Sequence, residues 1–385
     1  MQLNKSQHFL WLGGIFDEKT INEFPAISPA SNFWQRGFVE ALQAQGCRVD
    51  VIGHPVEQVW PFGRLCIFAK YASQPQGLTG RSVGYMNAPY LRGLTQYVNY
   101  LRVASRLLKS FEYKPDCLVT FSCLSKATAW ASANSAARFI RKRSRIPWIC
   151  IVADGVAPPG ADGYVYLTWS YFESSVAPSP KLHIDGGVPA IQLAPKPRAA
   201  SEHPRPPRVL MYMGALTPHG GSSWLARVFH QLPDQDIELW ICGRGQNEEL
   251  QRLADVDGRI RLLGFVGESE LNELASQADA FANPRPGGFE PNKLNYPSKV
   301  LHYLAYGKPV ISTFTDGISP EYRDVLVPIT DETDACMAEA IRNVLNMDEP
   351  EYAETRRRVE NFNSTHSWTY QTQRFIAWLS DSVRH

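Results

Sequence analysis

Residues 295–313, NYPSKVLHYLAYGKPVIST, read as one short helix running into one buried strand. Pro297 suits the first helical position, Gly307 the left-handed cap and Pro309 the stop, so the spacing predicts a helix over about 297–306. Val300, Leu301, Leu304 and Ala305 supply its apolar stripe, and PVIST (309–313) is the strand that follows. Lys299 is the odd residue. A cation in the first turn opposes the helix dipole by about 0.3 kcal/mol or more, yet it becomes an ally once an anion docks on the free backbone N–H groups. Lys299 therefore faces either a phosphate or a neighbouring acid, and His302, three positions on, shares its face.

A helix leading into a buried strand is half of a β-α-β unit, and the pattern repeats on both sides. Upstream in the same half lie VLMYMG (209–214), IELWICG (237–243), RIRLLGFVG (259–267) and DAFANP (279–284), with helical patterns between them. The first half alternates in the same way: HFLWLGG (8–14), CRVDVIG (47–53), DCLVTFS (116–122) and WICIVADG (148–155) are separated by helical stretches over 32–46, 92–111 and 124–143. Short apolar runs divided by helices indicate parallel strands with crossover helices. The segment APKPRAASEHPRPPR (194–208) carries five prolines and no hydrophobic period, which suits a linker. The predicted organisation is α/β: a Rossmann-like domain over 1–190, a linker over 191–207, a second Rossmann-like domain over 208–365, and an amphipathic helix over 366–385 that packs back toward the first domain. A chain of 385 residues is long enough for two such cores. Two open parallel sheets facing each other make a cleft beyond their strand ends, where ligands sit.

Composition narrows the class. Apolar residues are 44% and charged residues 20%, with no apolar run long enough to span a bilayer and no signal-like start, so a cytoplasmic location is expected. Seven cysteines (47, 66, 117, 123, 150, 242, 336) without a C-x-x-C pair fit a reducing compartment rather than a disulfide or zinc framework, and Cys117, Cys150 and Cys242 sit in apolar runs as core residues. The net charge of +1 hides an asymmetry: residues 1–190 carry 19 basic against 12 acidic residues, and the remainder 20 against 26. Within the basic half, RFIRKRSRIPW (138–148) sets Arg138, Arg141, Lys142, Arg143 and Arg145 among apolar side chains. Such a run docks on an anionic membrane surface or is simply a solvated helix end; nucleic acid is a weaker fit, since no binding module accompanies it. Two D-x-D triplets, Asp234–Asp236 and Asp255–Asp257, fall in polar turns and read as surface acids rather than metal ligands. Gly243-Arg244-Gly245 lacks the third glycine of a dinucleotide fingerprint, so an NAD site is not expected.

The stretch NPRPGGFEPNKLNYPSKVLHYLAYGKPVIST (283–313) resembles the donor-binding segment of GT-B glycosyltransferases, above all family 4, whose members read N-P-R, then F-P-S-K, then E-Y-L-A-x-G-K-P-V-I. The resemblance extends to VLMYMGALTPHGG (209–221), IELWICGRGQNEELQRLA (237–254), RIRLLGFVGESELNELASQADAFANP (259–284) and TDGISPEYRD (315–324), in the same order. It implies transfer of a sugar from a nucleotide donor, a UDP-sugar favoured over a GDP-sugar, to a hydroxyl of a carbohydrate or lipid-linked acceptor. Retention of configuration and a role in glycan or glycolipid assembly follow from the same likeness. The second domain would hold the donor and the first the acceptor. No metal or separate cofactor is implied, because the nucleotide sugar is itself a substrate.

By the same resemblance Lys299 contacts the diphosphate, with Arg285 and Lys293 as further cations able to meet the charge that grows on a leaving nucleoside diphosphate. Gly214, His219, Gly220, Ser298 and His302 complete the donor side, and Arg244 either reaches the nucleotide or caps its own loop. Asp154, after the strand WICIVA, and Glu290 are the candidate catalytic carboxylates; Asp154 also suits a turn-capping role beside Gly155. Gly13 and Gly14, beyond the first strand, are acceptor-side candidates because bare glycines let a backbone approach a ligand. The chain departs from the family at two glutamates spaced eight apart: the second position is His302 and the first Leu294, which leaves Glu290 nearby. A neutral imidazole cannot offer a carboxylate's two acceptor oxygens to a ribose. A non-catalytic nucleotide-sugar or glycan-binding protein, and a sugar-nucleotide epimerase, are therefore the competing readings.

Overall fold

The computed structural model describes residues 7–71, 74–75, 77–124, 132–190, 207–290, 292, 296 and 298–383. The chain forms two compact units, Met1–Gly187 together with Trp368–His385, and Val188–Ser367. Of the proline-rich segment expected as a linker, residues 191–206 lie outside the described residues.

The first unit is built on β1 (His8–Leu12), β2 (Arg48–Gly53), β4 (Thr79–Ser82), β6 (Cys117–Leu124), β7 (Trp148–Gly155), β8 (Gly163–Tyr166) and β9 (Lys181–His183), while β3 (Cys66–Ile67) and β5 (Tyr85–Met86) make a separate antiparallel ribbon. The seven strands run parallel in the order β4-β2-β1-β6-β7-β8-β9. Successive residues of a strand point to opposite faces, and here both faces are covered, which is why the strands read as unbroken apolar runs. Phe9, Trp11, Val49, Val51, Val119 and Ile149 pack on one face against Phe38 and Leu42 of the helix Pro29–Ala44 and against Phe375 and Leu379 of the helix Trp368–Ser382. The C-terminal helix thus returns to the first unit, as its amphipathic pattern predicts. Leu10, Leu12, Leu118 and Cys150 pack on the other face against Tyr100 and Ala104 of the helix Leu91–Ser110 and Ile140 of the helix Ser132–Ser144.

The second unit holds β10 (Arg208–Met213), β11 (Ile237–Cys242), β12 (Ile260–Gly264), β13 (Ala280–Asn283), β14 (Val310–Ser312) and β15 (Leu326–Pro328). All are parallel, in the order β12-β11-β10-β13-β14-β15. Renumbered from β10 this is 3-2-1-4-5-6, the doubly wound Rossmann order, with its reversal between β10 and β13. Leu210, Leu239, Ile241 and Ala282 face one layer of helices; Met211, Trp240 and Phe281 face the other.

Several details differ from the sequence reading. The helical stretch expected from 124 starts later: Cys123 and Leu124 continue β6 by pairing with Asp154 and Gly155, helix is described from Ser132, and residues 125–131 lie outside the described residues. The helix in the opening segment spans Lys299–Leu304, one turn shorter than expected, and Gly307 takes the left-handed conformation at φ +66°. Its buried stripe is Val300, Leu301, Tyr303 and Leu304, with Ala305 only half-buried. Asp257 is not a surface acid: it is buried and ion-paired to Arg259 at 2.8 Å and His230 at 3.0 Å. The Arg259 guanidinium holds its carboxyl well below the usual range. Arg141 of the basic run is likewise committed, with both its Nε and Nη2 on the Asp162 carboxylate, which leaves Arg138, Lys142, Arg143 and Arg145 as the exposed members. Cys117, Cys150 and Cys242 are buried, as expected of core residues. No helix among the described residues is long and apolar enough to cross a membrane.

Candidate functional site

In a parallel sheet every strand ends on the same edge, and ligands bind beyond the carboxyl ends where the strand order reverses. In the second unit that point is flanked by the loops after β10, β11 and β13. Their backbones are packed with no room for side chains. Gly214 N donates to Cys242 O at 2.9 Å and Leu216 N to Arg244 O at 2.9 Å. A Cβ on Gly243 would stand 1.7 Å from Gly214 O, and one on Gly221, whose φ is +78°, would stand 1.7 Å from Pro284 O. Gly220 is closed in by the Tyr212 hydroxyl, 2.5 Å from where its Cβ would be. Glycine at these positions is what allows three loops to meet.

Lys299, the first residue of its helix, sends its ammonium under this junction. Nζ lies 4.1 Å from the centroid of the Tyr212 ring and would touch a Cβ on Gly214 at 3.4 Å. Among the described residues no carboxylate and no hydrogen-bond acceptor meets it. Desolvation, then the positive charge of Arg285, pushes its pKa well below the ordinary lysine value. Lys308, nine residues on, shows the contrast: its Nζ donates to the carbonyls of Ala275, Ser276 and Ala278 at the end of the helix Glu268–Gln277, a structural role for a lysine. Lys299 has the ring beneath it and a second cation beside it.

The walls are tied down by residues the sequence reading did not single out. Tyr303 accepts a hydrogen bond from Met213 N at 3.0 Å and donates one to Met213 O at 2.7 Å, while its ring stacks on Phe281 at 5.0 Å. It pins the end of β10 above the Lys299 helix. Tyr212 donates to Ala215 O at 2.9 Å, and burial raises its pKa to about 12, so it stays a neutral phenol. Thr313 Oγ1 donates to Arg285 O at 2.7 Å, and Gly287 N donates to the Glu332 carboxylate at 2.6 Å. Asn292 Nδ2 donates to His219 O and to Pro286 O, each at 2.8 Å, strapping the β10 loop to the β13 loop. The signal for the two tyrosines was in the sequence: a phenol inside an aliphatic run must find a partner for its hydroxyl.

The structure thus gathers Gly214, His219, Gly220, Arg244, Arg285 and Lys299 around one strand edge. His219 is exposed, with Nε2 3.1 Å from Thr217 Oγ1. The Arg244 guanidinium rests 3.9 Å from the centroid of the Phe265 ring, while its carbonyl holds Leu216. Ser298 is exposed and makes no side-chain cap; His302 is half-buried one turn along from Lys299. Glu290 is exposed where the β13 loop turns helical, and Lys293 lies outside the described residues, as does Leu294. Among the described residues no three His, Cys, Asp or Glu side chains are grouped to hold a metal ion.

In the first unit Asp154 is exposed near the carboxyl end of β7, followed by Gly155 at φ +86°. Gly13 is buried: its missing side chain makes room for Gln35, whose Oε1 is 2.2 Å from the would-be Cβ, and for Gly53, whose own Cβ would meet Gly13 O at 2.6 Å. Gly14 lies against the Phe16 ring at 2.8 Å on the same measure. What approaches both glycines within this unit is the protein's own chain.

Residues 207–347, which contain every wall of the second-unit site, match the family described as Glycosyl transferases group 1. The chain is also similar to the phosphatidyl-myo-inositol mannosyltransferase of Mycolicibacterium smegmatis, 27% identical over 179 residues. That match spans 44% of this chain and 44% of the relative, under half of each. Solved structures resemble the whole chain. A glycosyltransferase from Rickettsia africae is similar with a TM-score of 0.68 at 13% identity, over 99% of this chain and 100% of that one. Sucrose-phosphate synthase from Thermosynechococcus elongatus is similar at 0.64 and 16% identity, and Anabaena HepE in complex with UDP and glucose at 0.64 and 12%, each over 97% of this chain and 99% of the other. At such identities these neighbours speak for the fold alone, and that fold is GT-B, with two Rossmann-like units.

Proposed function

We propose that the protein is a glycosyltransferase that moves a sugar from a nucleotide donor, a UDP-sugar favoured over a GDP-sugar, to a hydroxyl acceptor without a metal ion. One observation carries the reading: a desolvated lysine that meets no carboxylate among the described residues, beside Arg285, at the order reversal of a domain similar to group 1 glycosyl transferases. A protein tolerates such a cation where a ligand supplies the missing anion. Lys299 and Arg285 take the diphosphate and oppose the charge that develops on it as the glycosidic bond breaks. His302 contacts the ribose from one turn along the helix. The acceptor hydroxyl attacks from the face the diphosphate leaves, giving retention, and a phosphate oxygen takes its proton; Asp154 and Glu290 are the proposed carboxylates near the reacting groups. The relative named as a phosphatidyl-myo-inositol mannosyltransferase and the neighbour solved with UDP and glucose support this class of chemistry. A membrane-borne acceptor is part of the proposal, on the strength of the basic first half of the chain.

The histidine at position 302, where the resemblance implies a carboxylate, favours one second reading, a non-catalytic nucleotide-sugar-binding protein. Incubation with a panel of UDP- and GDP-sugars separates the two. Release of free nucleoside diphosphate that rises when acceptor is added supports transfer. Tight donor binding with no turnover on any donor supports the binding protein.

A further inference from the structure

The first unit exposes an apolar surface that its own fold does not cover. From Gln58 to Ser110 the chain carries seven lysines and arginines and not one aspartate or glutamate. Through this segment Phe62 is 85% exposed, Tyr90 99% and Leu94 58%, with Trp60, Leu65 and Met86 also exposed. These side chains stand on one rigid platform. Asn87, wholly buried, donates from Nδ2 to Gln58 O at 2.5 Å and to Arg64 O at 2.8 Å, donates from its backbone N to Leu65 O at 2.6 Å, and accepts from Trp60 N at 3.0 Å. It clamps the loop bearing Trp60, Phe62 and Leu65 to β5. Thr95 Oγ1 accepts from Met86 N at 3.1 Å, which clamps the start of the helix Leu91–Ser110 to the same strand. Leu91, Leu94 and Val98 lie on one side of that helix at i, i+3 and i+7, all exposed.

Tyr90 adds a backbone observation. Its φ is +63°, a left-handed conformation that is strained for an aromatic residue, and the result is a ring wholly in solvent. Strain retained to expose an apolar side chain points to a use for that exposure. Monomeric proteins rarely leave a contiguous apolar patch of this kind uncovered. Within residues 58–110 every charged side chain is basic. Arg64 is neutralised by Glu23 at 3.0 Å and Glu57 at 3.7 Å, both outside the acid-free segment, whereas Arg81 and Arg102 are exposed with no ion pair among the described residues. Aromatic and aliphatic tips on a segment that also exposes the unpaired Arg81 and Arg102 complement a bilayer of anionic headgroups over acyl chains.

We propose that the surface formed by Trp60, Phe62, Leu65, Met86, Tyr90 and Leu94 docks this protein on an anionic lipid bilayer. The patch follows β2 and β4, so it lies on the edge of the sheet where those strands end, the same edge as Asp154 near the end of β7. Resting on the transferase reading above, docking there brings a lipid-linked acceptor to that edge. The basic run around Lys142 and Arg143 then supplies long-range attraction only.

Flotation on vesicles tests it. The full chain is mixed with vesicles of phosphatidylcholine containing increasing phosphatidylglycerol, alongside the double variant Phe62→Ser/Leu94→Ser and the double variant Lys142→Ser/Arg143→Ser. Both pairs are exposed, and an unchanged melting temperature confirms that each variant is folded. Expected is flotation of the wild type that grows with anionic lipid, at least a tenfold loss for Phe62→Ser/Leu94→Ser, and a smaller loss for the basic pair that disappears at high anionic content. A wild type that stays in the soluble fraction at low salt on strongly anionic vesicles overturns the proposal. So does equal flotation of the wild type and Phe62→Ser/Leu94→Ser, or a wild-type dimer in light scattering that this variant abolishes, which assigns the patch to a second copy of the chain. UDP binding measured on the same samples keeps failure of docking distinct from failure of the donor site.

Discussion

Lys299→Met removes the charge and keeps the length of the side chain, and it should move stability and binding in opposite directions. In the free protein the ammonium is desolvated, lies near Arg285, and among the described residues has the Tyr212 ring alone in compensation. A lysine whose folded pKa is depressed costs stability below its unfolded pKa, because the unfolded chain binds the proton more tightly. The cost is about 1.4 kcal/mol for each unit of depression. Methionine abolishes that cost and still packs on the ring, so the variant should be more stable, with a rise in Tm of roughly 2–4 °C for each kcal/mol gained. A charge-assisted contact to a diphosphate contributes roughly 1.5–3 kcal/mol, so UDP should bind between about 10-fold and 150-fold more weakly. Uridine, which carries no phosphate, should lose far less. Calorimetry of UDP and uridine in EDTA, with thermal denaturation of the same samples, reads all three quantities. A variant that is destabilised by more than about 2 kcal/mol, the range of a core deletion, and that loses UDP and uridine equally would show Lys299 to be structural, and the reasoning from its missing partner would be wrong.

Three further expectations follow from named contacts. His302→Glu restores the carboxylate that the resemblance implies, on the same helix face as Lys299, and should hold or tighten UDP binding; a loss above tenfold in a folded variant means the position serves another purpose. Asp257→Asn leaves the half-buried Arg259 without its counter-charge and should destabilise the second unit by about 1.5–3 kcal/mol, the scale for a hydrogen bond to a charged group, with no change in UDP affinity beyond that due to unfolding; a Tm within 1–2 °C of wild type (roughly half a kcal/mol) would contradict it. His54, bonded to the Tyr100 hydroxyl at 2.8 Å, has its pKa lowered from 6.5 to about 4, by burial and then by Arg92. The unfolded chain therefore binds the extra proton first, and stability should fall by roughly 3 kcal/mol as pH drops from about 6.5 to about 4. Denaturation at the two ends of that window should show the fall in the wild type and a smaller one in His54→Phe.

Much of the fold was legible because parallel strands covered on both faces leave apolar runs such as VLMYMG and WICIVA, and the second lies almost residue for residue where β7 stands. Short strands without an apolar run were not legible. Thr79–Ser82 is largely exposed and holds a glycine and an arginine, and Lys181–His183 and Leu326–Pro328 are too short to show a period. Side-chain partnership was the deeper limit. Asp255 and Asp257 look alike in sequence, yet Asp257 alone is buried on Arg259; Arg141 and Lys142 look alike, yet Asp162 takes only the first. Lys299 and Lys308 are both lysines flanking one helix, and only the fold shows that three carbonyls surround one and a ring and a guanidinium the other. Gly13 was legible as a close approach, but what approaches is Gln35 and Gly53, from segments about twenty and forty residues away.

The central claim is that a nucleoside diphosphate sits against Lys299 and Arg285 with no metal between. A crystal structure of the chain grown with UDP and EDTA tests this most directly. The account predicts diphosphate density beyond the ends of β10 and β13, with a phosphate oxygen at hydrogen-bond distance, about 3 Å, from Lys299 Nζ and the ribose toward His302. UDP bound elsewhere, or bound there with Lys299 still folded under Tyr212 and out of reach of every phosphate oxygen, would contradict it.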